Sequence, residues 1–182
     1  MEKSPWNELL TEMQLAAQEV RHPFRFSTLA TLGLENLPRL RTVVIRHFVE
    51  EPLRITFFTD YRSKKVMHIK ENNKVSLLCY HPERMLQIRF DGVAEQETDQ
   101  GILELYKSQL PEPTRIEYKS ATRPGSVISG PEQLEYLEDG DFFTAIHIYP
   151  FKAEYLKLNR PRHTRIRFSR TDLGWNSDLL AP

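Results

Sequence analysis

Residues Arg39 to Lys65 read RLRTVVIRHFVEEPLRITFFTDYRSKK. Thr42 to Ile45 is a β-branched run bounded by Arg41 and Arg46, and Ile55 to Phe58 is a second apolar run closed by Thr59 and Asp60. Both have strand character. Ser63-Lys64-Lys65 then opens a short helix over Val66 to Glu71, in which Val66 and Ile69 stand three residues apart. Lysines at the positive end of a helix are disfavoured by about 0.3 to 1 kcal/mol each. A bound phosphate reverses that sign, because backbone N–H groups, the Ser63 hydroxyl and two ammonium groups then converge on a dianion. Taken alone, the same residues also read as a solvated lysine pair.

Working outward, Ser4-Pro5 caps and starts a helix over residues 5–20, with Trp6, Leu9, Leu10, Met13, Ala17 and Val20 on one face, as a cover for one end of a barrel. His22-Pro23 closes it. Strands follow at Phe26 to Leu32, Val75 to Tyr80 and Met85 to Ala94, with a turn at Glu35-Asn36. In the last of these strands Leu86, Ile88 and Phe90 alternate with Gln87, Arg89 and Asp91, so one face is wet or lines a site. Thr98 to Gln109 reads as a helix capped by Thr98 and stopped at Leu110-Pro111-Glu112-Pro113. Tyr118 to Pro131 reads as a long surface loop, in which Lys119, Ser120, Thr122 and Arg123 are either solvated or bind an anion. Strands return at Phe143 to Tyr149, Ala153 to Leu158, Thr164 to Phe168 and near Trp175. Many strands with short turns and few helices predict a mainly β fold with peripheral helices, an antiparallel barrel of six to eight strands.

The 182 residues, 40% of them hydrophobic, suit one domain over 1–182. With 25 basic and 25 acidic side chains, no net field draws in nucleic acid or a membrane surface. The basic stretch Asn159 to Arg167 lacks the interleaved aromatics of a nucleic-acid platform. The single Cys79 excludes an intramolecular disulfide and reads as a buried thiol in a reducing compartment. No signal-peptide pattern opens the chain, and no apolar run approaches the ~20 residues of a membrane span, so the expected location is cytoplasmic. The six histidines, at 22, 47, 68, 81, 147 and 163, form no local metal motif, and no metal is expected. The glycines form neither G-x-G-x-x-G nor a P-loop, and there is no G-x-S-x-G elbow.

RTVVIR, FFTD and SKK, in that order and spacing, resemble the strand, strand end and helix start of the pyridoxamine 5'-phosphate oxidase-like FMN-binding split barrels. NNKVSLLCY and LQIRFDGVAE look like the next two strands of that family, and LLAP is similar to its C-terminal tetrapeptide. The resemblance is dense over Phe26 to Glu95 and thinner beyond. It implies an FMN-binding split barrel, a flavin-dependent oxidoreductase acting on a small molecule, or a non-catalytic flavin-binding or flavin-sensing protein on the same fold. It further implies a homodimer with FMN at the interface. Residue by residue, Arg41, Ser63, Lys64 and Lys65 would hold the phosphate, with Thr42, Val43 and Val44 on the strand beside it. Phe58 and Thr59 would meet the ribityl chain or ring edge, Gln87 the isoalloxazine, and Arg165 the flavin of the other subunit. Arg46 would face both cofactor and substrate, with Tyr106, Arg162 and His163 at the substrate end. The chain departs from the family in two places. No arginine follows Tyr106 where the oxidases grip the substrate phosphate, and R-H-T-R over Arg162 to Arg165 shortens the family's R-L-H-D-R. Each arginine has an alternative as a rim ion pair with Glu50, Glu51 or Asp60.

Overall fold

The computed structural model describes residues 4–182, so residues 1–3 of the expected domain lie outside the described residues. Eight antiparallel strands form one sheet: β1 (Phe26–Leu32), β2 (Pro38–Val49), β3 (Arg54–Asp60), β4 (Lys74–His81), β5 (Leu86–Gln96), β6 (Phe143–Lys157), β7 (Thr164–Thr171) and β8 (Gly174–Leu180). Their order is β3-β2-β1-β4-β5-β6-β7-β8, and a β3–β6 ladder closes the first six into a barrel. The barrel interior is the main core, with Leu29, Ile45, Phe57, Leu77, Ile88 and Ile148 among its buried members. Alternation along β1, β4 and β5 puts every second residue inward, as period-2 side chains require.

Helix α1 (Pro5–Gln18) plugs one end with Leu9, Met13 and Ala16. Ser4 Oγ accepts from the Asn7 N–H and caps it, with Pro5 in the first turn. It stops two residues short of the expected 20, because Glu19 is already extended, and Val20 is 71% exposed instead of facing the core. The polar edge of α1 is pinned from below. Arg84 bridges Glu8 and Glu12, Tyr155 donates to Glu8 Oε2 at 2.7 Å, and His22 Nε2 meets Glu12 Oε2 at 3.2 Å. Cys79 is fully buried against Met13 and Ser27, and burial pushes its thiol up to about 12.

Helix α2 (Lys64–Glu71) follows β3, and α3 (Gln100–Ser108) packs Leu103 and Tyr106 outside the barrel against Phe143 and Ala145. Asp99, not Thr98, caps α3, its Oδ1 accepting from the Ile102 N–H. A short α4 (Glu112–Ile116) begins where Pro111-Glu112-Pro113 was expected only to break structure, since proline is tolerated in a first helical turn. The two strands expected on either side of Pro150 are one strand, β6. The β5–β6 register shifts at Asp91/Gly92, leaving Phe151 unpaired, so Pro150 sits at a bulge where its missing N–H is tolerated. No described helix is long and apolar enough to cross a membrane.

Candidate functional site

The barrel is split between β2 and β3. Pro38 to Val44 pair only with β1, and β2 first meets β3 at Ile45↔Phe57. Beyond that point Phe58, Thr59 and Asp60 pair only with β6. The two strands diverge and leave a wedge, with unpaired backbone groups of the Arg41 to Val44 segment on one side and Phe58 to Asp60 on the other. Ser63 to Lys65 close its end. One register switch therefore gathers the residues of the three sequence motifs.

Side chains in the wedge form two hydrogen-bonded sets. Lys65 Nζ donates to Thr59 Oγ1 at 2.9 Å and lies 3.4 Å from Ser63 Oγ, and the two hydroxyls are 3.3 Å apart. Thr59 and Ser63 are buried. Ser63 is the N-cap residue of α2 yet makes no side-chain cap bond, so the first N–H groups of that helix have no side-chain partner. Arg41 Nη1 donates to Thr31 Oγ1 at 2.7 Å, and Thr31 Oγ1 lies 3.1 Å from His68 Nδ1. A hydroxyl that accepts from Arg41 keeps its one proton available for His68 Nδ1, an arrangement that suits a neutral ring. Burial and the charges of Arg41, Arg39 and Lys64 all push the His68 pKa down, in agreement.

The wedge is cationic and uncompensated. Among the described residues, Arg41, Arg46, Lys64 and Lys65 form no ion pair, and Asp60, the nearest candidate, is engaged by Arg62 at 2.6 Å. Burial depresses the Lys65 pKa, the Arg41 charge adds to this, and Asp60 opposes it. Burial alone depresses that of Arg41. Half-buried cations that repel one another carry an electrostatic cost that a dianion removes. The alternative of rim pairs with Glu50, Glu51 or Asp60 is not what these cations do.

The other expected residues fall into three groups. Thr42 and Val44 point outward, whereas Val43 is buried in the core and can offer a ligand only its backbone. Arg46 lies over Phe58, its Cζ 6.0 Å from the ring centroid, and Tyr106 joins them at 5.3 Å from Phe58 and 4.6 Å from His47. Gln87 is half-exposed on the outer face of β5, level with Leu156 and Arg165 on β6 and β7. Arg165 is held by Glu154 at 3.0 Å, and Arg89 holds the other oxygen of that carboxylate at 3.3 Å. Arg162 and His163 sit exposed in the β6–β7 connection, away from the wedge.

Sequence reasoning missed the groups that support the site. Thr31 and His68 orient Arg41. Arg62, besides clamping Asp60, donates to Ser120 O at 2.7 Å and stacks 3.2 Å from the centroid of Phe142. It thereby ties the 118–131 segment to the wedge, and a Cβ on Gly125 would stand 3.9 Å from Lys64 Cε. None of these has a local motif, since each depends on contacts between distant segments.

Residues 3–97 match the family model described as pyridoxamine 5'-phosphate oxidase, FMN-binding domain. A pyridoxine/pyridoxamine 5'-phosphate oxidase of Vibrio cholerae is 32% identical over 171 residues, covering 85% of this chain and 78% of that protein. One from Deinococcus deserti is 27% identical, covering 90% and 81%. Among solved structures, a pyridoxamine 5'-phosphate oxidase-related, FMN-binding protein of Nostoc punctiforme superposes with a TM-score of 0.80 at 23% identity, covering 100% of this chain and 99% of its own. PhzG of Burkholderia lata, solved in complex with tetrahydrophenazine-1-carboxylic acid, gives 0.78 at 20% identity, covering 99% and 94%. These two likenesses show the split-barrel fold.

Proposed function

Because this chain belongs to the pyridoxamine 5'-phosphate oxidase family of FMN-binding proteins, we propose that it is an FMN-dependent oxidoreductase acting on a small molecule, with the flavin phosphate seated in the β2–β3 wedge. The observation that carries this reading is the set of unpaired cations there, Arg41, Lys64 and Lys65, around two buried hydroxyls. FMN is the cofactor, and when bound it supplies the redox chemistry by accepting a hydride equivalent at N5. The protein's part is to hold and orient. Arg41, Ser63, Lys64 and Lys65 grip the phosphate, and the open edge of Thr42 to Val44 lies alongside. Thr59 and Phe58 meet the ribityl chain or ring edge, and Gln87, level with Arg165, hydrogen-bonds the ring of the flavin in the other copy's wedge. Arg46 and Tyr106 border the substrate side, and Arg162 and His163, which lie away from the wedge of their own chain, reach its outer end from a second copy.

A homodimer with flavin at the interface fits the surface. The outer face of β1, β2 and β4 exposes Phe26 (60%), Leu40 (65%), Leu78 and Tyr80. Such a face on a sheet is unfavourable in water and reads as a buried surface of an assembly. The shorter way round the closed barrel runs through β3 and β6, and along β6 Leu156, opposite Arg165, stands eleven residues beyond Ala145, opposite Phe58, roughly 36 Å of strand at the usual rise. An Arg165 contact with a flavin in the wedge therefore comes from the second copy.

Pyridoxine 5'-phosphate, the substrate class named for the relatives, is expected to be turned over weakly. No arginine follows Tyr106 within its helix, and the lysine that does, Lys107, is held by Glu104 at 2.6 Å and Asp141 at 2.5 Å. The same departure favours the second reading, flavin binding without turnover. Anaerobic mixing of holoprotein with pyridoxine 5'-phosphate, followed by air and a peroxide assay, tests both. Slow bleaching of the bound flavin and slow peroxide release support the oxidoreductase. Bleaching as fast as in a dedicated oxidase overturns the weak-substrate expectation.

A further inference from the structure

Resting on the oxidoreductase reading, we propose that Arg54 is the cation that binds the acidic group of the substrate, a phosphate or carboxylate on a planar ring, supplying from β3 what no arginine supplies after Tyr106. Arg54 opens β3 opposite Val49. Two residues on, Thr56 lies on the same face, with His47 across the β2–β3 ladder and His147 across the β3–β6 ladder. Thr56 Oγ1 lies 2.8 Å from His147 Nδ1, whose Nε2 is 3.1 Å from Glu97 Oε2. Tyr106 comes down from α3 onto this face, stacked on His47 at 4.6 Å and edge-on to His147 at 6.1 Å. Arg54 thus heads a patch of two imidazoles and a phenol beside Phe58 and Arg46, on the paired stretch of β2 and β3 that runs on from the wedge and away from the phosphate cations.

Two observations mark Arg54 as a binding group and not a structural one. Its Nε is buried and donates to nothing, an exception that protein interiors rarely tolerate. It also forms no ion pair among the described residues, although Glu97 is near enough to hold His147. The positive charge of Arg54 bears on His47, His147 and Tyr106 alike, and burial with that charge keeps both imidazoles below their ordinary pKa. Neutral rings leave the Arg54 guanidinium, with Arg46 at the patch's other edge, as the charge that an acid meets, and a planar fork with unspent donors suits a bidentate phosphate or carboxylate.

The test is ligand binding to FMN-loaded protein, read as a shift in the absorption of the bound flavin, with pyridoxine 5'-phosphate, tetrahydrophenazine-1-carboxylic acid and uncharged pyridoxine as probes. Arg54→Ala should weaken at least one of the two acids by about ten- to a hundredfold and leave pyridoxine and FMN content within twofold. Arg54→Lys should recover part of the loss. Preference for the phosphate or for the carboxylate in the wild type identifies the acid. A loss shared equally by pyridoxine, or acid binding that Arg54→Ala leaves within twofold, overturns the assignment while the oxidoreductase reading stands. Holoprotein that binds neither acid overturns the assignment, and flavin turnover by some uncharged donor would then show that the oxidoreductase reading survives without it.

Discussion

Lys65 is half-buried, donates to a buried hydroxyl, and faces the charge of Arg41 with no carboxylate in contact. With the flavin phosphate seated as proposed, replacing it by Glu turns a charge-assisted hydrogen bond into a repulsion. The expected loss of FMN affinity is ~1.5 to 3 kcal/mol, about ten- to a hundredfold, by fluorescence titration of the apoprotein. An unchanged dissociation constant would remove Lys65 from the phosphate site. The histidines give a second residue-level expectation. Burial holds His47, His68 and His147 below their ordinary pKa, with neighbouring cations adding to this at His47 and His68 and Glu97 opposing it at His147. The unfolded chain takes up these protons near pH 6.5 and the folded chain does not, so the unfolded state binds more protons as the pH falls. Stability should therefore drop below about pH 6.5, visible as a falling melting temperature between pH 7 and 5.5. A flat profile over that range would show that these rings ionise freely in the fold.

Among the elements, β5 and β6 carry the longest shared ladder, and its one irregularity is at Gly92. A Cβ there would lie 2.6 Å from Tyr149 O and 2.9 Å from Pro150 Cα, both backbone atoms that cannot swing aside. Gly92→Ala should cost about 1 to 3 kcal/mol in denaturant unfolding, and an unchanged midpoint would mean that the bulge is free to relax. The same place shows where the sequence stops being legible. A proline between two apolar runs reads locally as a strand break, and only the partner strand reveals that Pro150 stands at a bulge. β1 to β5 and α2 were readable because apolar alternation and β-branched runs are local signals. The end of α1 and the choice of Asp99 over Thr98 as a cap fell within one or two residues of the expectation, since neighbouring residues there offer equivalent chemistry. α4 was not readable, because its five residues carry no periodicity.

For the whole molecule, the wedge cations were legible as a cluster because they fall in one stretch of chain, whereas Arg54, Arg62 and the Thr31–His68 pair become visible only when the barrel closes. The proposed dimer extends the same point to assembly. Arg165→Glu and Lys65→Glu homodimers should each hold FMN poorly, while co-refolded mixtures should regain one intact site in each heterodimer, about a quarter of all sites at statistical mixing. Recovery of no sites would place Arg165 away from the flavin. The most direct measurement compares FMN with riboflavin, which differ only in the phosphate, by titrating apoprotein and reading flavin fluorescence. FMN should bind at least about a hundredfold more tightly, with the gap largely closed by Lys65→Glu. Equal affinity for the two flavins would contradict the β2–β3 wedge as the seat of the phosphate.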